Sequence, residues 1–349
     1  MATGILHNLC IRGIVCALPD NKIETTSFYQ TFEKEAVDKF IKSVGVESTY
    51  RCLERQTASD LCFAAAKELI NRIEWGDDID ILLFCSHSPD YPRPATACVL
   101  QGRLGLKKDC MAFDVGMGCS AFVYGMSVIG SIMQSVDIKR GMLLLGGGTT
   151  RTKDPEDTDN MIFGDCGAAV AFERSDVGKD IHYLLQTDGT RYKNLMIVGG
   201  GARHMDYPYR YTYMNGTNIF AFTISDVVNT INKFIERYHV NLEEVDMVAL
   251  HQANLMIMKS IAKKCHFNME KMPIVIDRYG NTTESSIPLI IADSLLKSGN
   301  RKEAYHIIAS GYGIGLSWGA VEFVLDGNIE VGILYTNDYF DDGYYEDIV

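Results

Sequence analysis

The 349-residue sequence has little positive charge, with 33 Lys and Arg residues against 45 Asp and Glu and a formal net charge of −12 at pH 7. Nucleic-acid binding depends on Lys and Arg contacts to phosphate, so this balance argues against a nucleic-acid partner. It argues equally against an anionic membrane surface, and no run reaches the roughly 18 apolar residues that a membrane span needs. Residues 326–349 contain no Lys or Arg and are predicted to form an acidic, solvated C-terminal extension.

Cysteine is present, but its spacing matches no recognised motif. The ten cysteines are irregularly spaced and form no CxxC pair, which indicates neither a zinc site nor a disulfide framework. The first residues lack a charged segment followed by an uninterrupted apolar stretch, so no signal peptide is expected. Unpaired cysteines without a leader are typical of a reducing compartment, and we expect a cytoplasmic location.

Short apolar segments alternate with helical patterns, which is typical of an α/β sheet covered on both faces. In the first half we predict strands at Asp80–Cys85, Met111–Val115, Gly141–Leu145 and Ala168–Glu173, and a helix over Pro94–Leu104. In the second half we predict strands at Val245–Leu250, Pro273–Asp277, Ala304–Ala309 and Ser317–Leu325, and helices over Asn254–Cys265 and about Ser285–Ser298. The repeated order indicates an internal duplication with halves at 1–178 and 179–325, linked near 188–216.

Cys119 lies in a Gly-rich turn between a predicted strand and a long apolar helix. Unpaired N–H groups and the dipole at a helix N-terminus favour a thiolate, the form that attacks carbonyls. The alternative is a small buried apolar residue, as most free cysteines are.

His251 and Asn281 also lie in turns where predicted strands end, and Asn281 corresponds in the duplication to Cys119. Sites in open α/β sheets form beyond the carboxyl ends of strands, so the three turns are expected to converge. Taken singly, His251 could be a structural histidine with its hydrogen bonds satisfied, and Asn281 could be present only to form the turn. Taken together, a cysteine nucleophile needs groups that manage protons and negative charge, which favours a shared catalytic site.

Five motifs make the sequence recognisable. They are Ala112-Phe-Asp-Val followed by Cys119, Phe163-Gly-Asp-Cys-Gly-Ala168, His251-Gln-Ala-Asn-Leu255, Arg278-Tyr-Gly-Asn281-Thr and Gly311-Tyr-Gly-Ile-Gly-Leu-Ser-Trp-Gly319. Over about residues 5–325 the sequence resembles the β-ketoacyl-acyl-carrier-protein synthase III family of thiolase-fold condensing enzymes. The resemblance implies a thiolase-like fold, in which two duplicated α/β halves form a five-layered αβαβα core.

The resemblance also implies an acyltransferase of fatty-acid or related lipid metabolism. Cys119 would take an acyl group from a thioester, with the backbone N–H groups of Cys119 and Ile314 as the oxyanion hole. His251 and Asn281 would stabilise the enolate of a decarboxylating malonyl thioester, whose Claisen condensation gives a β-ketoacyl thioester. No metal or other cofactor is implied, and the expected partners are acyl carrier protein or coenzyme A thioesters and a second copy of the chain. The alternative is transfer of the Cys119 acyl group to a small acceptor without decarboxylation.

The sequence departs from the family at positions that usually carry positive charge toward the donor. They are Glu47, Thr158, Ala221 and Met256. The family pattern makes Met256, with Ala253 and Asn254, the expected carrier or coenzyme A contact. Either the donor differs, or neighbouring cations replace the lost contacts. The candidates are Arg151, Lys153, Arg203, Arg210 and Lys259.

Arg93 stands where the family often has an aromatic residue that reaches across the dimer to the acyl pocket. It could meet a polar or carboxylated acyl chain, or form a salt bridge. The sequence leaves open the identity of the acyl chain, the nature of the donor and the pathway.

Overall fold

The computed structural model describes residues 2–298 and 301–343. Its strands are β1 (Ala2–Leu6), β2 (Leu9–Pro19), β3 (Lys22–Glu24), β4 (Ser48–Tyr50), β5 (Ile81–Cys85), β6 (Met111–Val115), β7 (Arg140–Gly147), β8 (Cys166–Arg174), β9 (Ile181–Thr187), β10 (Leu195–Met196), β11 (Tyr213–Met214), β12 (Met247–Leu250), β13 (Ala304–Gly313), β14 (Ser317–Asp326) and β15 (Glu330–Thr336). Its helices are α1 (Lys34–Val44), α2 (Ala58–Ile73), α3 (Thr96–Arg103), α4 (Ala121–Ser135), α5 (Gly216–Phe222), α6 (Val228–Tyr238), α7 (Leu255–Lys264), α8 (Ile276–Tyr279) and α9 (Ser286–Lys297). None of the helices in these residues is long and apolar enough to cross a membrane.

Two larger sheets carry the core. One has the strand order β15-β2-β8-β7-β5-β6 and the other β1-β9-β14-β13-β12. In the first sheet β5 pairs in parallel with β6 and β7, and β7 pairs antiparallel with β8. In the second, β12 pairs in parallel with β13, which pairs antiparallel with β14. The shared pattern is the structural form of the repeat in the sequence.

Helices cover both faces of both sheets. Successive residues of a strand face opposite sides, so Leu83 packs in the central core between the sheets while Leu82 and Phe84 pack outward. Helices α4 and α9 fill the central layer, α2 and α3 cover the outer face of the first sheet, and α6 and α7 that of the second. The predicted five-layered αβαβα thiolase-like fold is confirmed.

The composition of the helices explains their layers. Helix α4 has no charged residue along its 15 positions and is buried on most sides. Helix α6, in contrast, buries only one face, with Ile231 and Phe234 among its core contacts and the polar residues on the other side. A helix that is apolar all round belongs inside a protein, and an amphipathic one on its surface.

The predicted strand at Pro273–Asp277 is wrong. No strand of the described residues pairs with this segment, which runs as coil into the short helix α8. The buried side chain of Gln252 accounts for the difference, because its Nε2 donates to the carbonyl of Pro273 at 3.0 Å and its Oε1 accepts from the N–H groups of Val275 and Ile276 at 3.0 and 3.1 Å. One side chain therefore satisfies the backbone groups that a neighbouring strand would otherwise pair.

The prediction of a solvated arm is wrong for residues 330–336 of the C-terminal extension. They form β15, which pairs in parallel with β2 at the edge of the first sheet. At the other end of the chain, β1 pairs with β9 in the second sheet. The sheets therefore do not follow the boundaries 1–178, 179–325 and 326–349 at the two ends of the chain. Strand β1 lies in the first segment but belongs to the second sheet, and β15 lies in the last segment but belongs to the first sheet. Residues 344–349 lie outside the described part of the chain.

Candidate active site

Cys119 lies in the turn between β6 and the buried helix α4, two residues before the helix begins. Its backbone is packed tightly against the end of β13. A Cβ added to Gly313 would lie 2.9 Å from the sulfur of Cys119, and one added to Gly311 would lie 2.9 Å from its carbonyl oxygen. Any side chain at either glycine would displace the turn, so these two glycines allow the close approach of the two halves. The thiol itself is partly exposed.

Burial and, to a smaller extent, the carboxyl of Glu284 raise the pKa of the Cys119 thiol to about 12. The backbone N–H of Ile314, the ammonium of Lys153 and the N–H of Cys119 itself act in the opposite direction. The expectation of a thiolate favoured by the helix N-terminus is therefore wrong for the unliganded protein. Loss of hydration outweighs the two N–H groups and the ammonium, because burial penalises the charged form of a thiol.

The turn that carries Ile314 is fixed to the Cys119 turn by two hydroxyls. The Oγ atoms of Ser120 and Ser317 are 2.7 Å apart, and Ser317 Oγ donates to the carbonyl of Ile314 at 2.7 Å. Because of this contact, the backbone N–H groups of Ile314 and Cys119 are both close enough to the sulfur to lower its pKa. Two such donors, one from each of the two joined turns, can stabilise negative charge near the sulfur.

His251 follows β12 and is buried. Its N–H donates to the carbonyl of Ser310 at 2.9 Å, and its own carbonyl accepts from the hydroxyl of Tyr312 at 2.8 Å. The ring of Tyr312 contacts the imidazole edge-on, with 5.4 Å between the ring centroids. Burial lowers the pKa of His251 to about 3, so the imidazole is neutral at physiological pH. Its Nδ1 has no hydrogen-bond partner among the described residues.

Asn281 follows α8 rather than a strand. Its backbone N–H donates to Ile162 and its carbonyl accepts from Gly164, at 2.8 and 3.1 Å. The side-chain Oδ1 accepts from the N–H of Thr283 at 2.9 Å. Since the oxygen is taken, the amide nitrogen is the group that can donate to a ligand.

Cys119, His251 and Asn281 line one cavity of about 120 Å³, together with Ala253 and Ile314. The structure therefore brings together the three predicted catalytic residues and the predicted oxyanion-hole residue. In residues 2–298 and 301–343 no three His, Cys, Asp or Glu side chains lie close enough to hold a metal ion.

The predicted carrier contacts lie beside this cavity. Ala253, Asn254 and Met256 line an adjoining groove that shares Asn281 and Ala253 with it. The side chain of Asn254 caps α7 by accepting from the N–H of Ile257 at 2.8 Å, whereas Met256 is 51% exposed. Beyond Met256, three exposed lysines border a shallow depression. They are Lys42, Lys259 and Lys263.

Arg93 does not lie among the residues that line the cavity in the described chain, and its side chain is exposed. Its proposed role across a dimer remains a prediction. Of the cations considered as replacements, Arg151 donates to the carbonyl of Leu53 at 2.6 Å, and Lys153 is buried. Neither is therefore placed like the exposed lysines near Met256.

Three polar residues of the cavity wall differ from what the sequence predicts. Glu284 and His87 were not predicted there, and Lys153 was considered only as a replacement for the lost contacts to the donor. Glu284 is buried beside Asn281 and accepts a hydrogen bond from the N–H of His87 at 3.2 Å. His87 follows β5, and Lys153 follows a short 3-10 turn after β7. His87 carries the signal that identified His251, a polar residue directly after a buried strand. Lys153 gives no such signal, because it follows a short 3-10 turn rather than a strand and its burial becomes visible only in the folded cavity.

Comparisons with known proteins identify the family of the chain. Residues 113–189 match the 3-oxoacyl-[acyl-carrier-protein (ACP)] synthase III family, and residues 235–324 match the C-terminal domain of that enzyme. The chain is similar to a beta-ketoacyl-[acyl-carrier-protein] synthase III of Clostridium perfringens, with 29% identity over 327 residues that cover 90% of this chain and 98% of that protein. It is similar to one of Neisseria gonorrhoeae, with 30% identity over 314 residues that cover 89% and 97%.

A solved structure extends the likeness to three dimensions. The crystal structure of a 3-oxoacyl-(acyl-carrier protein) synthase from Burkholderia xenovorans superposes with a TM-score of 0.90 at 29% identity, covering 96% of this chain and 99% of that one. Fold, motifs and near-complete coverage of these relatives agree. The chain belongs to the β-ketoacyl-acyl-carrier-protein synthase III family and is a condensing enzyme of the acyltransferase class.

Proposed function

We propose that the protein catalyses a decarboxylative Claisen condensation between an acyl group carried on Cys119 and a malonyl thioester. The observation that carries the proposal is the cavity in which a thiol, a neutral imidazole and a carboxamide face the same space. The thiol provides a nucleophile, and the other two groups provide neutral hydrogen-bond donors. Such donors are needed where negative charge develops on an oxygen during a reaction.

In the first stage Cys119 attacks the carbonyl carbon of an acyl thioester. A bond forms between its sulfur and that carbon, the bond to the donor sulfur breaks, and the thiol proton leaves with the departing thiol. The negative charge on the carbonyl oxygen is stabilised by the backbone N–H groups of Cys119 and Ile314, which lie close to the sulfur. One thiol replaces another, so a cysteine with a raised pKa needs no external base in the overall balance.

In the second stage a malonyl thioester loses CO2, and the electron pair of the broken bond forms an enolate. His251 and Asn281 donate to the enolate oxygen, which is why a neutral imidazole and an amide whose oxygen is already occupied suit the role. The enolate carbon attacks the acyl carbonyl, and the sulfur of Cys119 leaves and takes up a proton. The products are CO2, a β-ketoacyl thioester and the original thiol.

The donors are thioesters of acyl carrier protein or coenzyme A, which would approach along the groove beside Met256. The three exposed lysines around that residue give the rim a positive charge suited to phosphate. We also infer a homodimer, in which the exposed segment around Arg93 contributes to the partner's acyl pocket. A monomer in light scattering would contradict this assembly.

The test incubates the protein with acyl and malonyl thioesters and follows CO2, product and protein mass together. We expect one acyl adduct, on Cys119, followed by release of CO2 and a β-ketoacyl thioester. The Cys119→Ser variant should form no thioester adduct, whereas Cys98→Ser, which removes an exposed thiol elsewhere, should behave like the wild type. An adduct on buried Cys166 or Cys265 would contradict the assignment. Acylation of Cys119 without CO2 release, but with transfer to an amine or hydroxyl, would instead identify a non-decarboxylating acyltransferase.

A further inference from the structure

Lys153 is the one lysine that is buried among the residues that the structure describes, with 5% of its surface exposed. Its ammonium lies 3.5 Å from the centre of the Phe163 ring, and no oxygen atom in the described part of the chain pairs with it. The side chain lines the cavity that contains Cys119. An unpaired charge at such a site is costly to bury, so a partner from outside the chain is indicated.

Other partly buried lysines of this protein do have partners. Lys107 contacts the carboxylates of Asp78 and Asp80 at 2.8 and 2.7 Å. Asp157 and Asp159, on the same loop as Lys153, act on its charge from a distance but form no ion pair with it in the described residues. Lys107 therefore has two carboxylate partners, whereas Lys153 faces the cavity without one among the described residues.

We propose that Lys153 is a specificity-determining residue that binds a carboxylate on the acyl group carried by Cys119, so that the preferred acyl donor is the monothioester of a short dicarboxylic acid. The proposal rests on the acyl-transfer stage of the proposed function. The wall around Lys153 can add one donor, because the Thr212 hydroxyl, 3.2 Å from that of Thr152, lies in the same cavity and can turn its proton toward a ligand, while Thr152 donates to the carbonyl of Thr149 at 2.9 Å. The cavity volume of about 120 Å³ favours a short chain, since one water needs about 10–15 Å³ by the same measure.

The malonyl unit also has a carboxylate, but it is the poorer partner. That carboxylate becomes neutral CO2 in the reaction, so an ion pair would stabilise the ground state more than the transition state and slow the step. A carboxylate at the far end of the acyl group keeps its charge throughout, and its ion pair persists from binding to product.

The charges facing Lys153 are consistent with a bound anion. Burial lowers the pKa of Lys153 to about 8, while Asp159, the Cys119 thiol and Asp157 act in the opposite direction. The ammonium form therefore predominates at pH 7. Across the cavity, burial raises the pKa of Glu284, while the charge of His87 and the hydroxyl of Thr283 act in the opposite direction. His87 lies beside Glu284 on that wall.

The test measures the rate of Cys119 acylation by protein mass, without malonyl thioester, for glutaryl-pantetheine and pentanoyl-pantetheine. The two acyl groups have equal chain length and differ in the terminal carboxylate. We expect the wild type to prefer glutaryl by about tenfold or more at pH 7, as a charge-assisted contact would provide. The preference should disappear in Lys153→Met, persist in part in Lys153→Arg and decline above pH 8. Lys67→Met is the matched control, because Lys67 also lies over an aromatic ring but is exposed and remote from the cavity.

Several results would overturn the inference. The wild type could be acylated at the same rate by both thioesters, or Lys153→Met could slow acylation by both thioesters equally. A third such result is a Lys153→Met variant in which the ratio of the two acylation rates is unchanged but the KM for malonyl thioester is raised, because this would assign Lys153 to the extender. The ratio of Cys119 alkylation by iodoacetate and iodoacetamide tests the same charge without acyl transfer. If no thioester reacts, the proposed function fails, whereas a wild-type preference for iodoacetate that Lys153→Met loses still supports the carboxylate site. An unchanged alkylation ratio in that case overturns the inference as well.

Discussion

The turns of Cys119 and Asn281 occupy equivalent places in the two halves, yet they are built differently. The Cys119 turn follows a regular edge strand, β6, and leaves the thiol partly exposed. The Asn281 turn follows a segment that is held by the side chain of Gln252 instead of by a strand. His251, next to Gln252, is buried as deeply as the core.

The difference follows from what each half has to provide. A nucleophile must be reached by a substrate, so its turn can remain open at the edge of a sheet. Donors to an enolate must keep a fixed geometry and stay neutral, which requires burial and occupied backbone groups. In the described residues the Cys119 turn thus follows a strand, whereas the Asn281 turn follows a segment held by a buried side chain.

The largest effect that would break this comparison is loss of either donor. Asn281→Ala and His251→Ala should retain acylation of Cys119 but reduce CO2 release from malonyl thioester by about a hundredfold or more, because one donor to an oxyanion is removed. Protein mass and CO2 release, measured on the same samples, separate the two stages. Thr217→Ala, at an exposed position of the adjoining groove, is the control. Condensation near the wild-type rate in either variant would show that the second half does not supply the donors.

Gln252→Leu tests the role of the Gln252 side chain separately from that of the donors. It removes the hydrogen bonds that hold residues 273–276 and leaves His251 and Asn281 in the sequence. The buried N–H groups of Val275 and Ile276 lose their acceptor, which should reduce the free energy of unfolding by about 3 kcal/mol. Condensation should fall by roughly tenfold while acylation is unchanged, since small displacements of positioning groups are costly. Denaturant unfolding and the two-stage assay give both numbers.

The matched control for that scaffold is Gln56→Leu. Gln56 is another buried glutamine, whose Nε2 donates to the carbonyls of Thr336 and Asp338 at 2.9 and 3.0 Å. This variant should lower stability without changing the ratio of condensation to acylation. Equal changes in that ratio for the two variants would mean that Gln252 acts only through general stability.

Lys153 is neither an accessible nucleophile nor a neutral buried donor, because it carries a charge and is buried without a partner among the described residues. Its folded pKa of about 8 lies below the usual value of 10.5, so the native state binds fewer protons than the unfolded chain between these two pH values. Stability of the wild type should therefore rise with pH through that window. Lys153→Met should be more stable by on the order of 2–3 kcal/mol below pH 8, and the difference should vanish above about pH 10.5. Urea unfolding at pH 7 and pH 10 measures it, and a variant less stable than the wild type at pH 7 would contradict the reading.

The smallest expected effect concerns the rim of the groove. Acyl-coenzyme A should bind weakly because Glu47, Thr158, Ala221 and Met256 replace cations, and Met256→Arg should lower its KM by up to about tenfold. Met269→Arg adds the same charge at an exposed position outside the groove and should leave the KM unchanged. A low-micromolar KM in the wild type would show that Lys42, Lys259 and Lys263 already replace the missing contacts.

Much of this molecule was predictable because its signals are local. Continuous apolar segments predicted β5, β7, β8 and β13, and the uncharged run after Cys119 predicted the central helix α4. The turns with Cys119 and His251 meet because each follows a strand end, β6 in the first sheet and β12 in the second, whereas Asn281 reaches the same cavity from the end of α8. The motifs around Cys119 and His251 contained this information, since each lies at such a strand end.

Other features depend on contacts between distant residues, which local patterns do not contain. Pro273–Asp277 has the composition of a strand, and only the side chain of Gln252 in the folded protein prevents that pairing. The raised pKa of Cys119 reflects burial, to which the close approach of Gly311 and Gly313 from β13 contributes, and the sequence does not show this contact. The acidic composition of the tail likewise conceals a strand, because β15 has its own apolar residues in Val331, Ile333 and Leu334.

The N-terminal strand β1 belongs to the second sheet and the C-terminal strand β15 to the first. This arrangement has a consequence for synthesis. The first sheet has five of its strands by residue 174, but the sixth, β15, begins only at Glu330. At about 5–20 residues per second, the ribosome needs roughly 8–30 s to make the intervening chain. During that interval the edge of β2 is open to any other extended segment, including that of a neighbouring nascent chain. The last strand to be made therefore covers the edge of the first sheet that stays unpaired longest during synthesis.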